Sequence, residues 1–347
     1  MTQINKPSLY FNTKLYTGNG GTQAITGVGH QPDFVWIKSR GQGDGHKLFD
    51  AVRGVLKVIS SNETDAESTY ANSLTAFGTD GFTLGSTGDV NDTGDTFVSW
   101  NWKANGTGSS NSDGSITSTV SVSQTSGFSI VKYAGAAGTS GTVGHGLNAV
   151  PKIIFLKDLA ANNWNVYNFS SGNTKYLQLN ENIQPGTASN RWNNTTPTSS
   201  VFTVGNDDSV NNSGRNFVAY CFAEKPGFSK INTYVGKGND NGTFVYTGFK
   251  PAFVLIKPLT VTDGWTMSDI ARDTAVDGGN GTGARVLANE SSAEATNATW
   301  AAVNKYSNGF KVRGTDNVSN ATDIVYLYLA FAKEPLVGTN NVCSTAN

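Results

Sequence analysis

Charge is scarce in this sequence. Of 347 residues, 15% are Asp, Glu, Lys or Arg, 25 basic against 26 acidic, where soluble chains commonly carry about 25%. With no basic excess and no run of Lys and Arg, the chain lacks the phosphate-neutralising footprint of a duplex nucleic-acid binder. It equally lacks a polybasic membrane anchor. No apolar run approaches the roughly 18 residues of a bilayer-spanning helix, and Met1-Thr2-Gln3-Ile4-Asn5-Lys6-Pro7 contains no apolar stretch of a secretory signal. Two cysteines, Cys221 and Cys343, make no disulfide framework. Cys221 lies inside an apolar run and is expected to be a buried small hydrophobe. These absences point away from nucleic acid and membrane as partners and toward a reducing cytoplasm as the place of synthesis. What is abundant is glycine, at 40 residues, beside many Asn, Thr and Ser. Hydrophobic residues reach 37% and aromatics 11%, too apolar for disorder, and no G-X-Y period suggests collagen.

Internal repetition is the strongest pattern. Three segments place four apolar residues and a Lys after a Pro: Pro32-Asp33-Phe34-Val35-Trp36-Ile37-Lys38, Pro151-Lys152-Ile153-Ile154-Phe155-Leu156-Lys157 and Pro251-Ala252-Phe253-Val254-Leu255-Ile256-Lys257. Tyr16, Tyr133 and Tyr234 precede these prolines by 16, 18 and 17 positions, each soon followed by a glycine, Gly18, Gly135 or Gly236. Phe82, Phe202 and Phe310 come later, and 20 or 21 residues beyond them an aromatic, β-branched run ends at Trp102, Phe222 or Phe331.

Runs of about six residues bounded by Gly, Pro, Asn and Asp are strand-length, and the run after each Pro is apolar enough to be buried on both faces. Dense turn signals, among them Asp44-Gly45, Asp80-Gly81 and Asn241-Gly242, suggest an all-β protein of three tandem β-sandwich (jelly-roll-like) repeats of about 100 residues each. The expected division is 1–105, a Gly/Ser-rich linker or long loop over 106–126 in which 116–122 reads as a further strand, then 127–226, 227–336 and a polar tail over 337–347. The only short stretches of helical periodicity are 66–74 and 293–303. A sandwich of this size can bury its own core, so the units read as beads, either in a semi-rigid rod or clustered about a pseudo-threefold axis.

Few residues suggest chemistry. His30, His46 and His145 are the only histidines. His30 and His145 sit in the turns before two of the Pro strands, and with no converging Cys or carboxylate they read as turn residues rather than metal ligands. No G-x-S-x-G, C-x-x-C, H-E-x-x-H or Walker A sequence occurs. Gly236-Lys237-Gly238-Asn239-Asp240-Asn241-Gly242 superficially resembles a dinucleotide loop but lacks a βαβ context, and reads as a hairpin turn. Asp50/Arg53 and Asp269/Arg272 share one spacing, with Asn168 near that point of the second segment. They read as ion pairs holding loops. Asn62-Glu63, Asn180-Glu181 and Asn289-Glu290 recur likewise. Asn206-Asp207-Asp208 and Asp277-Gly278-Gly279-Asn280 are acidic turns rather than Ca²⁺ loops. Trp36, Trp100 and Trp102, and the matched pairs Trp164/Trp265 and Trp192/Trp300, read as core. No catalytic, cofactor-binding or metal-binding residue is expected.

The phrases Gly29-His30-Gln31-Pro32-Asp33-Phe34-Val35-Trp36-Ile37-Lys38, Phe97-Val98-Ser99-Trp100-Asn101-Trp102-Lys103-Ala104-Asn105-Gly106 and Val218-Ala219-Tyr220-Cys221-Phe222, with Gly227-Phe228-Ser229, resemble a β-rich repeat of virion proteins of tailed bacteriophages, especially marine ones. The resemblance covers about 9–336. It implies a non-enzymatic particle-surface role, as tail fibre, host-attachment appendage or capsid decoration, and carries no catalytic residues. It also implies assembly in the host cytoplasm, multiple copies or a homo-oligomer in the virion, other virion proteins as partners, and a host surface glycan as a further one. The chain has no heptads or short fibrous repeats, which favours a distal receptor-binding piece, a short appendage or a head decoration over a full-length fibre. The competing expectations are a stand-alone carbohydrate-binding or adhesin module and, third, a glycan-active enzyme with two carboxylates about 5–10 Å apart in one cleft.

Overall fold

The computed structural model describes residues 3–136, 138–273, 283–296 and 302–337. The chain is all β, 44% strand and 5% helix, built of antiparallel sheets. Each apolar run after a Pro forms a central strand. Phe34–Ser39 lies between Thr96–Trp102 and Lys47–Asp50. Ile153–Asp158 lies between Asn216–Phe222 and Asn165–Asn168. Phe249–Pro258 lies between Val325–Pro335 and Thr266–Asp269. The aromatic run that closes each segment also pairs with its opening strand, Phe11–Thr17, Phe128–Ala134 or Ser229–Val235.

The period-2 alternation of a strand sends successive apolar residues into different cores. Phe34 and Trp36, Ile153 and Phe155, and Phe253 and Leu255 enter one core common to all three sheets. Val35 and Ile37, Ile154 and Leu156, and Val254 and Ile256 enter three local cores. Each local core is closed by a smaller sheet containing Gln23–Thr26 and Gly81–Leu84, Gly141–Gly144 and Val201–Val204, or Phe244–Tyr246 and Gly309–Val312. The recurring Phe82, Phe202 and Phe310 are buried there.

The expectation of self-sufficient beads is therefore corrected. The second face of each main sheet is covered by the other two sheets. Phe34 stacks on Tyr220 at 4.2 Å, Trp102 meets Phe331 at 5.7 Å, and Phe222 meets Phe331 at 5.8 Å between ring centroids. The sheets close on one another around a void of about 10 Å³ lined by apolar and aromatic residues such as Trp36, Phe155 and Leu255, room for about one water at most. The arrangement is a cluster, not a rod.

Two further expectations change. Residues 106–126 are not a linker: the strand expected over 116–122 forms as Ser118–Ser123, and Ser109–Asn111 pairs beside it, so that both extend the second sheet, with Val120 opposite Val131. Alternating Val and Ser or Thr fit a strand that turns its Val face to the core, Ser118–Ser123 lying between Ser109–Asn111 and Phe128–Ala134. The 66–74 stretch is no helix; Ser68–Thr69 pairs with Lys57–Val58. In 293–303, Ala295–Thr296 pairs with the Ala284–Leu287 strand, and 297–301 lie outside the described residues.

A shared core makes a testable demand. Phe155 is buried against Phe222 of its own sheet and Trp265 of the third, at 5.9 and 6.0 Å. Phe155→Ala is expected to cost about 3–5 kcal/mol and, in calorimetry, to shift one cooperative transition of the whole chain. A variant in which one third melts separately would mean that the segments fold alone.

Candidate functional site

The polar residues set apart in the sequence gather on the seams between the sheets. Just before each outer strand stands His46, Trp164 or Trp265. Trp164 Nε1–H donates to the Ser60 carbonyl of the first segment at 2.9 Å, and Trp265 Nε1–H to the Gln178 carbonyl of the second at 2.9 Å. His46 Nε2 lies 3.0 Å from the Leu287 carbonyl of the third. The lacing is cyclic: second to first, third to second, first to third. The backbone N–H of each of these residues donates to Asn62, Asn180 or Asn289 Oδ1, which explains the recurring Asn-Glu pairs. His46 Nδ1 accepts from Trp36 Nε1–H at 2.8 Å. The ring is thus held as the neutral Nε2–H tautomer, and burial together with Lys38 pushes its pKa down to about 3.

The D-x-x-R pairs lie on the same seams, and their ion-pair reading is met. Arg53 Nε reaches Asp50 Oδ2 at 2.5 Å and Arg272 Nε reaches Asp269 Oδ2 at 2.6 Å, both pairs shielded from solvent. Each aspartate also accepts from a neighbouring segment: Tyr220 Oη–H donates to Asp50 at 2.7 Å, and Trp100 Nε1–H to Asp269 at 3.0 Å. Burial opposes ionisation of Asp269, but the Arg272 guanidinium outweighs it and holds the carboxyl below its usual range. At the third seam the set is absent. Asn168 replaces the acid, its Nδ2 is buried without a partner, and Leu329, at the strand position of Trp100 and Tyr220, has no donor.

The lysine that ends each Pro strand is buried too. Lys38 Nζ donates to the Ser39 and Gln42 carbonyls, Lys157 to those of Asn162 and Thr64, and Lys257 to those of Asp263 and Asn182. The last two cages cross a seam, since Thr64 belongs to the first segment and Asn182 to the second. Burial lowers the three ammonium pKa values to about 8, 8 and 7.

Recurring Tyr and Gly residues serve the local cores. Tyr16, Tyr133 and Tyr234 donate to the carbonyls of Val90, Val210 and Ser319 at 2.6–2.7 Å. The next residue in each case, Asn91, Asn211 or Asn320, bonds backbone on both sides of a loop. A Cβ at Gly18, Gly135 or Gly236 would sit 2.1–2.2 Å from the carbonyl oxygen of Asp92, Asn212 or Ala321, so only glycine fits. The dinucleotide-like run 236–242 is one of these Asn-held loops.

The remaining residues stay apart. His30 Nδ1–H meets the Ser8 carbonyl at 2.9 Å, and His145 lies between the Thr198 carbonyl and the Leu147 N–H; burial lowers both pKa values. No group of three His, Cys, Asp or Glu side chains among the described residues is placed to share a metal ion. Asp207 caps the Asp208–Asn211 turn through Ser209 N–H. Cys221 is buried and unpaired, its thiol pKa pushed up by burial. Trp192 is core. Cys343, Trp300 and Asp277-Gly278-Gly279-Asn280 lie outside the described residues. Two surface grooves, of about 340 Å³ beside Asn111, Asp113, Gln124 and Ser200 and about 270 Å³ beside Glu224, Lys225 and Lys230, hold one carboxylate each. The seam partners Trp100, Tyr220 and His46 escape pattern reading, because each position carries different residue types in the three segments.

The chain matches, over residues 6–335, the family described as Domain of unknown function (DUF7483), and it belongs to that family. No curated protein matches it.

Proposed function

We propose that this chain is a non-enzymatic structural protein of a bacteriophage virion surface, built from three copies of one β unit and acting either in host attachment at the tail or as capsid decoration. The observation that carries this reading is the use of the recurrent polar groups. The D-x-x-R pairs, the strand-end lysines and the indoles are buried, the Asn-Glu asparagines at least half-buried, and all are turned toward backbone or toward a neighbouring segment. Such groups cross-brace a fold, and breaking a buried charged pair is costly. A rigid single-chain cluster suits a particle exposed to the environment, with other virion proteins as partners. The bacteriophage assignment itself rests on the sequence resemblance. A second reading, carbohydrate contact, is favoured by one exposed aromatic pair, Phe244 and Tyr246.

Antibody-gold labelling of purified particles tests the proposal. Label over the head is the result for decoration, and label confined to the tail is the result for attachment. Unlabelled particles would overturn the virion reading.

A further inference from the structure

We infer that the outer face of the small sheet in the third segment, formed by Phe244, Tyr246, Tyr306, Lys311 and Arg313, is a binding face for an acidic oligosaccharide. The inference gives the attachment branch of the reading above its ligand class, and it is tested on the free chain, independently of any particle.

Asymmetry is the first ground. Val245 pairs with the buried Phe310 as Ile25 pairs with Phe82 and Val143 with Phe202. The flanking positions therefore correspond: Phe244 and Tyr246 stand where the first segment has Ala24 and Thr26 and the second has Thr142 and Gly144. Opposite Phe244 is Lys311, where the other segments carry Thr83 and Thr203. What recurs in this chain is architecture; this cluster does not recur. Phe244 is 45% exposed and Tyr246 59%, the only aromatic residues so open among the described residues. Phe244 has a structural task, since its Cζ lies 3.0 Å from where a Cβ of Gly309 would stand and its ring meets Tyr306 at 6.1 Å. Tyr246 is held less closely, its hydroxyl and ring atoms lying 3.6–3.9 Å from where a Cβ of Gly248 would stand.

Charge is the second ground. Lys311 Nζ is bonded to the neutral Asn241 Oδ1, and Arg313 reaches the Asp240 carbonyl and the Tyr306 hydroxyl. Neither cation has a carboxylate partner among the described residues, and Arg313 Nε is buried with no acceptor. Exposed rings beside uncompensated cations complement a ligand with apolar C–H faces and carboxylate or sulfate groups. The backbone adds donors and acceptors. The bonds Val312 N–H to Thr243 O and Thr247 N–H to Asn308 O fix the ladder, so the peptide groups of Phe244 and Tyr246 point outward. In the second segment the matching edge is covered by the chain itself, Ile116 N–H donating to Thr142 O at 2.9 Å. The uncovered strand is only three residues long, a poor template for an added peptide strand, whereas a sugar needs one open ring with polar groups at its side.

Microarray screening of the full chain against acidic and neutral oligosaccharides, followed by titration of a galacturonic-acid hexamer, is the test. Acidic sugars are expected to bind better than neutral ones, more weakly as salt rises. Tyr246→Ala and Lys311→Gln should each reduce affinity at least tenfold at an unchanged melting temperature. No saccharide binding above that of Tyr246→Ala, or unaltered affinity in both variants, would overturn the inference. So would equal binding of a glutamate-rich peptide through the same residues. Concentration-dependent self-association abolished by Tyr246→Ala would assign the face to a second copy instead.

Discussion

Replacing Arg53 by Ala is expected to destabilise the protein by about 3–5 kcal/mol, the cost of leaving a buried carboxylate without its counter-ion. Asp50 is fully enclosed, and Arg53 is its only cationic partner among the described residues. The guanidinium also reaches Glu67 at 3.2 Å and the Leu48 carbonyl at 2.9 Å, so the truncation takes a charged donor from three acceptors at once. Arg272→Ala strips the same set from Asp269, Glu294 and Met267 and is expected to cost as much. The seam that never had the pair supplies the control. There the sequence places Asn168, Ser171 and Leu329 where the first seam has Asp50, Arg53 and Tyr220. The triple variant Asp50→Asn/Arg53→Ser/Tyr220→Leu removes charge, counter-ion and donor together, and is expected to be more stable than Arg53→Ala despite two further changes. Urea denaturation of the three proteins decides it. A triple variant less stable than Arg53→Ala would mean that the cost lies in packing, and that the charges on this seam are incidental.

How much of this was legible beforehand varies with what a residue's position alone implies. All-β architecture was legible, because the turn residues and six-residue apolar runs leave no room for helices. The D-x-x-R ion pairs were legible, because three-residue spacing brings the two side chains together within one turn. The common core was only half legible. Four consecutive apolar residues such as Phe253-Val254-Leu255-Ile256 state that both strand faces are buried, but not that the second cover is another part of the same chain. Assigning it to a self-contained sandwich left one face of each main sheet unaccounted for. The seam bonds are not legible, because they join residues 75 to 241 positions apart and their donors differ, His46 standing where the other segments have Trp. In residues 106–126 the Gly106, Gly108 and Ser-rich composition hides the short strand Ser109–Asn111, whereas the β-branched residues of 116–122 already mark the strand that forms as Ser118–Ser123. Nothing in a sequence with repeated aromatics marks Tyr246 as the one that faces outward.

Acid is expected to unfold the protein partly through His46. In the folded chain both ring nitrogens are committed in the neutral form: Nδ1 accepts from Trp36, and Nε2–H donates to Leu287 O. A second proton would have to sit on Nδ1, against the Trp36 N–H. Burial and the nearby Lys38 work in the same direction, giving a folded pKa of about 3 against about 6.5 in an unfolded chain. Above pH 6.5 neither state binds the proton, and this contribution is fully present. Below it the unfolded chain gains a proton that the folded one refuses, so stability is lost as pH falls from about 6.5 to 3, by about 4–5 kcal/mol in all. Asp269, with its lowered pKa, adds its own loss at lower pH, so the total acid curve cannot isolate the imidazole. A swap can. Trp36 and His46 occupy the positions of Leu255 and Trp265 in the third segment, where the large ring sits on the outer strand and the small side chain on the central one. Trp36→Leu/His46→Trp exchanges one arrangement for the other, keeps a donor for Leu287 O and leaves every carboxylate in place. The stability difference between swap and parent is expected to move in favour of the swap with a slope of up to one proton through that pH window. A difference independent of pH would show that His46 titrates in the folded protein as it does in the unfolded one, and that the bond to Leu287 does not fix its protonation.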